Sequence, residues 1–190
     1  MSTKQRIAFL DRDGVINQYL PGEYVRTPDE LMLLPGVTDA IKALNDAGWK
    51  VAMVTNQQGV GKGLMSMSDL DAIHKKLFSA LELIGGRIDA VRICPHLAAD
   101  ACSCRKPKPG MILDIASELN GDLSESVFFG DTDSDSAAAR SAGVRSFYLI
   151  LGGKRTAEHA QDTKYFPDPP DGIYPHLLTA VTSVLASKSP

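Results

Sequence analysis

Arg6-Ile7-Ala8-Phe9-Leu10-Asp11-Arg12-Asp13-Gly14 runs four apolar residues straight into two carboxylates spaced two apart. The apolar run is short and does not alternate, so it reads as a strand covered on both faces, the type found in parallel sheets. In an extended segment, residues two apart point the same way, so Asp11 and Asp13 face one pocket. Two carboxylates on one pocket repel unless a cation or a shared proton intervenes.

The pattern repeats outward from this segment. Lys50 to Thr55, Ile88 to Ile93, Ser126 to Gly130 and Arg145 to Leu151 read as further strands. Between them, Gly36 to Gly48, Ser68 to about Leu83, Met111 to Leu119 and Asp133 to Ala142 read as helices. Ser68 is the expected cap of the second helix, with Leu70, Ile73, Leu77 and Leu81 facing inward. The β–α alternation predicts an α/β fold with a doubly wound parallel sheet. Beyond Gly152-Gly153 the chain turns polar, then Pro-rich from Phe166 to Pro170, before a last helix from Pro175 to Leu185. This C-terminal helical tail, roughly 155–190, is expected to pack on the flank of the sheet within a single domain spanning 1–190.

A chain of 190 residues with 44% hydrophobic and 23% charged residues suits one α/β domain of ordinary size. Twenty Lys and Arg against twenty-three Asp and Glu give a net charge of −3, which argues against general nucleic-acid or anionic-membrane binding. Ile7 to Leu10 is too short for a secretory signal or a membrane span, so a cytoplasmic protein is expected. No apolar stripe asks for a partner, and a monomer is the expectation.

In open parallel sheets, ligands gather at the carboxyl ends of the strands. Strand one ends in Asp11-Arg12-Asp13, strand two in Thr55-Asn56-Gln57, and strand four in Gly130-Asp131-Thr132-Asp133-Ser134-Asp135, while strand three leads into a loop closing on Arg105-Lys106-Pro107-Lys108-Pro109. Each alone has an ordinary reading as a turn, a helix cap or a stiff exposed segment. Together they put carboxylates, a hydroxyl and a lysine on one rim. An all-oxygen donor set with Asp131 as third carboxylate suits Mg²⁺ completed by a substrate phosphate, which points to phosphoryl transfer. Gln57 to Gly63 is no P-loop: Asn56 stands where the first glycine is required and Gly63 follows Lys62. It reads as a flexible loop near the phosphate.

The three cysteines fall within eleven positions, as Cys94-Pro95-His96 followed by Cys102-Ser103-Cys104. They make a poor disulfide framework and supply, with His96, four soft ligands for a closed, structural tetrahedral Zn²⁺. His74, His159 and His176 lack partners at motif spacing and read as ordinary surface or helix residues.

Asp-Arg-Asp-Gly-Val, Thr-Asn, Lys-Pro-Lys-Pro and Gly-Asp-x-x-x-Asp, in that order, resemble the four motifs of the haloacid dehalogenase superfamily over residues 6–150. The resemblance implies a Rossmann-like core with Asp11 as a nucleophile forming an aspartyl-phosphate. It implies Asp13 as acid and base, and Mg²⁺ held by Asp11, Asp131 and the backbone carbonyl of Asp13. Thr55 and Lys106 would then steady the phosphoryl group. The gaps between motifs leave no room for an inserted cap domain, so the active site should be open to solvent. The capless zinc-loop pattern is similar to the heptose 1,7-bisphosphate 7-phosphatases, and the His96-to-Cys102 spacer also resembles histidinol-phosphate phosphatases. By that likeness the substrate is a small phosphorylated sugar. It would be bound by Arg105 and Lys106, by the flap Pro21-Gly22-Glu23-Tyr24, by Thr55, Asn56, Gln57 and Gln58, and by Thr132. A signalling receiver also gathers Asp, Thr and Lys at strand ends but carries its acceptor on the third strand.

Overall fold

The first strand, β1 (Ile7–Leu10), is buried along its whole length and hydrogen-bonds to a parallel neighbour on each side. Those neighbours are β2 (Lys50–Asn56) and β4 (Val127–Gly130); β3 (Ala90–Cys94) extends the sheet beyond β2, and β5 (Ser146–Ile150) and β6 (Gly172–Tyr174) extend it beyond β4. The order is β3-β2-β1-β4-β5-β6, with every pairing parallel. The computed structural model describes residues 3–187; residues 1, 2 and 188–190 of the expected 1–190 span lie outside the described residues.

The chain winds outward from β1 to β3, returns to β4, and winds outward again to β6. Successive connections leave β1 and β4 in opposite directions, which opens a crevice at the carboxyl ends of these two strands. Register sets the match: Leu10 lies beside Phe129, and the Asp11 N–H donates to the Phe129 carbonyl at 3.0 Å. Asp11 and Asp131 therefore emerge side by side.

Alternation along the strands feeds two cores. Leu10, Val51, Met53 and Phe129 face one side, covered by α1 (Val37–Asp46), α3 (Met67–Glu82) and α6 (Leu177–Ala186). Phe9, Ala52, Val54 and Phe128 face the other, covered by α4 (Gly110–Glu118) and α5 (Asp133–Ala142). Each buried Leu, Ile or Phe contributes about 1.5–3 kcal/mol, so both layers are firmly anchored to the sheet.

Three expectations need correction. The cap of α3 is Ser66: its hydroxyl accepts from the Asp69 N–H while Asp69 accepts from the Ser66 N–H. The reciprocal Ser-x-x-Asp pair decides the start, and Ser68 falls inside the first turn. The Gln57–Gly63 stretch contains a short helix, α2 (Gln58–Gly61), in place of a loop. The tail is not merely a helical flank, because β6 adds a sixth strand whose three residues are too few to register between polar and Pro-rich neighbours. Among the described residues, no helix is long and apolar enough to cross a membrane.

Candidate active site

Four side chains converge where β1 and β4 end. Lys106 is buried, its Nζ 2.8 Å from Asp11 Oδ1 and 2.6 Å from Asp135 Oδ1, and it donates to the Val54 carbonyl at 2.9 Å. Asp135 is also buried, in the first turn of α5; its Oδ2 accepts from the Asp131 and Thr132 N–H groups and the Thr132 hydroxyl. Thr132 in turn accepts from the Asp135 N–H, a capping box that ties the β4–α5 turn to the lysine. Asp131 Oδ2 accepts from the Lys154 N–H at 2.9 Å, while Asp131 Oδ1 is buried with no hydrogen-bond partner.

Three carboxylates around one ammonium leave an excess of negative charge in a dry place. Burial, with the nearby charges of Asp135 and Asp13, pushes Asp11 up to about 6 despite the attraction of Lys106. Burial and the Asp11 charge hold Asp131 well above the ordinary carboxylate range. Burial alone would discharge Lys106, but Asp11 and Asp135 outweigh it and hold the ammonium charged. The carboxylate oxygens of Asp11, Asp131 and Asp135 lie within 4.8 Å of one another. Such crowding, with an orphaned oxygen on Asp131, fits a hard divalent cation like Mg²⁺ that keeps part of its water.

Close packing backs this arrangement. A Cβ on Gly153 would fall 1.8 Å from Asp131 Oδ2, and one on Gly14, whose φ is +91°, would fall 2.7 Å from the same oxygen. Only glycines let the turns after β5 and β1 close on the carboxylate.

The Asp13 carboxylate lines the same cleft but is held by partners of its own. Arg12 Nη2 donates to both of its oxygens at 2.9 Å, Asn17 Nδ2 to Oδ1 at 2.9 Å and Gln57 Nε2 to Oδ2 at 2.8 Å. Burial raises its pKa, but Arg12 and these hydrogen bonds prevail and hold the carboxyl below the usual range. The Asp13 carboxylate thus stays outside the group formed by Asp11, Asp131 and Asp135. Gln57 also donates to the buried Thr55 hydroxyl at 2.8 Å, and the Asn56 amide clasps the Lys106 backbone, donating to its carbonyl at 3.0 Å and accepting from its N–H at 3.1 Å.

These groups open into a cleft of about 560 Å³. Every substrate residue expected from the sequence lines it except Pro21. Pro21 stands exposed at the turn of the flap, so the flap reaches the cleft through Gly22, Glu23 and Tyr24. The Tyr24 hydroxyl accepts from Gln58 at 3.0 Å and Lys62 at 2.9 Å, and Arg105 donates to Gln58 at 3.3 Å.

The cysteine loop lies at the end of β3. Cys94 and Cys102 Sγ are 3.6 Å apart, Cys102 and Cys104 Sγ 3.4 Å, and His96 Nδ1 is 3.6 Å from Cys94 and 3.3 Å from Cys104. A tetrahedral Zn²⁺ with bonds of about 2.0–2.3 Å spaces its ligands by roughly 3.5–3.8 Å, so these four atoms are already near the required separations. Arg105 reaches back to donate to the His96 carbonyl at 3.1 Å, which couples this loop to the cleft.

Sequence reasoning passed over Asp135, Arg12, His74 and Lys154. The Gly-Asp-x-x-x-Asp spacing carried the signal for Asp135, which closes that motif. His74 is not a surface residue: it is buried on the inward stripe of α3, one turn from Leu70, where helical periodicity could have placed it. Lys154 had no motif and reaches the cleft only because the turn after β5 folds over Asp131.

Residues 3–143 match the model of a family described as haloacid dehalogenase-like hydrolases. The chain is 43% identical over 150 residues to the D-glycero-beta-D-manno-heptose-1,7-bisphosphate 7-phosphatase of Bordetella bronchiseptica, a span of 79% of this chain and 83% of that one. It is 44% identical over 128 residues, 67% of each chain, to a D-glycero-alpha-D-manno-heptose-1,7-bisphosphate 7-phosphatase of Mycobacterium tuberculosis. The crystal structure of the D,D-heptose 1,7-bisphosphate phosphatase from B. bronchiseptica with magnesium and phosphate superposes with a TM-score of 0.86 at 36% identity, covering 96% of this chain and 99% of that one.

Proposed function

The chain belongs to the haloacid dehalogenase-like hydrolases, and from that premise we propose a Mg²⁺-dependent phosphatase that removes the 7-phosphate of D-glycero-D-manno-heptose 1,7-bisphosphate. The observation that carries this reading is the buried Asp11–Lys106–Asp135 cluster beside the orphaned oxygen of Asp131. The substrate follows from the names of the relatives and from the magnesium and phosphate in the similar Bordetella structure. Those names favour the heptose bisphosphate over histidinol phosphate.

In this mechanism Asp11 attacks phosphorus, an Asp11–phosphate bond forms, and the bond to the sugar oxygen breaks. The negative charge of the bound phosphate raises the Asp13 pKa, and in its protonated form Asp13 gives the leaving oxygen the proton it needs. Water then attacks the aspartyl-phosphate, giving its proton to Asp13 and releasing phosphate and a free Asp11 carboxylate. Lys106 and the Thr55 hydroxyl brace the phosphoryl oxygens as charge shifts onto them. Bound by Asp11, Asp131 and the Asp13 carbonyl, Mg²⁺ would neutralise phosphate charge that otherwise repels the nucleophile. Cys94, His96, Cys102 and Cys104 would hold a structural Zn²⁺ that keeps Arg105 at the cleft. The protein would work as a single cytoplasmic domain.

Phosphate release with Mg²⁺ tests the reading on heptose 1,7-bisphosphate of both anomers and on histidinol phosphate. The expected result is a kcat/KM for one heptose anomer at least roughly 100-fold above that for histidinol phosphate. The reverse order would move the substrate and leave the chemistry standing.

A further inference from the structure

Arg12 and His74 have no part in the phosphoryl chemistry above, yet both are buried beside it. Arg12 lies between the two carboxylates of the first motif with only 1% of its surface exposed. A guanidinium is costly to bury unless its donors are met. Its Nη2 grips both oxygens of Asp13 at 2.9 Å, and its Nε reaches Oδ1 at 3.3 Å. On the opposite edge, Nη1 lies 3.4 Å from Nε2 of His74, which comes from α3.

Chemistry orders this contact. Guanidinium nitrogens only donate, so Nε2 of His74 accepts and the ring carries its proton on Nδ1. A protonated ring would set two cations face to face. Burial and the Arg12 charge both keep the imidazole neutral, depressing its pKa to about 4 against the weaker pull of Asp13. Phe78, with its ring centroid 6.2 Å away, flanks the imidazole. Asp71 and Lys75 of the same helix, with Val91 and Ile93 of β3, complete the hollow around it.

We infer that His74 is a positioning residue for the phosphatase reaction: it holds the far edge of Arg12 so that the near edge grips both oxygens of Asp13. This rests on the reading of Asp13 as the acid–base group. Asn17 and Gln57 each reach a single oxygen of Asp13, and Arg12 spans the two. Without an acceptor at position 74, Nη1 becomes a buried donor with nothing to meet. The guanidinium turns to find one, and the Asp13 carboxylate turns with it.

The test is a kinetic double-mutant cycle on the full chain, with heptose 1,7-bisphosphate and Mg²⁺. His74→Leu is expected to lower kcat about 10- to 100-fold, since a displacement of about an ångström in a reacting group costs that much, with KM changed less than about twofold. His74→Gln, which restores an acceptor, should recover most of the rate. In the Asp13→Asn background, His74→Leu should change kcat by less than about twofold, because the residue acts through a group already disabled. Equal losses in both backgrounds would overturn the inference and leave a merely structural role. If Asp13→Asn itself keeps full activity, the reading of Asp13 falls first, and the inference with it. Should His74→Leu fail to fold, His74→Phe removes the acceptor while keeping a ring against Phe78.

Discussion

The carboxylate pocket and the cysteine loop are both built to suit a metal, and they are assembled in opposite ways. The pocket draws Asp11, Asp131, Asp135 and Lys106 from three separate chain segments, and each is fixed by hydrogen bonds or ion pairs within the protein. The loop takes all four of its ligand atoms from residues 94–104, where the regular structure between Cys94 and α4 is one short 3₁₀ turn, Ala98–Asp100. A pocket held by a sheet is organised before its ion arrives. A loop with little structure of its own would depend on a bound ion for its shape, so metal loss should act differently in the two places.

The sharpest blow to the pocket is Asp11→Asn, expected to lower kcat by roughly 10³-fold or more while folding is retained. Phosphate release and far-UV circular dichroism check this, and retention of activity would remove Asp11 as nucleophile. Gly153→Ala comes next. Its Cβ has no space beside Asp131 Oδ2, so apparent Mg²⁺ affinity, read from activity against Mg²⁺ concentration, should fall about tenfold or more. On the other side of the comparison, Cys102→Ser should lose zinc by metal analysis and lower Tm by several degrees. Its KM should rise more than its kcat falls, because Arg105 is tied to this loop. A loss confined to kcat would mean that the loop reaches the nucleophile directly.

Stability also depends on pH through His74. His74 titrates at about 4 in the folded protein against an ordinary 6.5. Between those values the unfolded chain binds the extra proton, so stability falls as pH drops from about 6.5 towards 4, by at most about 1.4 kcal/mol per unit. Urea midpoints of the wild type and His74→Gln at pH 7 and pH 4.5 check this. The wild type should lose more stability on acidification than the variant.

Much of this was open to reading along the chain. Five of the six strands were legible because strands covered on both faces are continuous apolar runs; β6, with three half-buried residues, leaves no such run. The cysteine loop was legible because its ligands are neighbours in sequence, and spacing alone carries a local site. The strand-end carboxylates and Lys106 were legible as separate motifs. The burial of His74 was within reach of helical periodicity, but its contact with Arg12 was not, since one histidine on a helix announces nothing about what lies beneath it.

By itself, then, the amino-acid sequence determined the β–α alternation, the polar groups that end each strand and the cluster of soft ligands. All of these follow from local periodicity and spacing. The tertiary structure decided that β1 and β4 are neighbours, that Asp135 and not the Asp13 carboxylate joins Asp11 and Asp131, and that Arg12 and His74 meet behind Asp13. Those facts depend on which strands pair and which side chains burial forces together. Long-range packing sets both, and no local pattern along the chain encodes either.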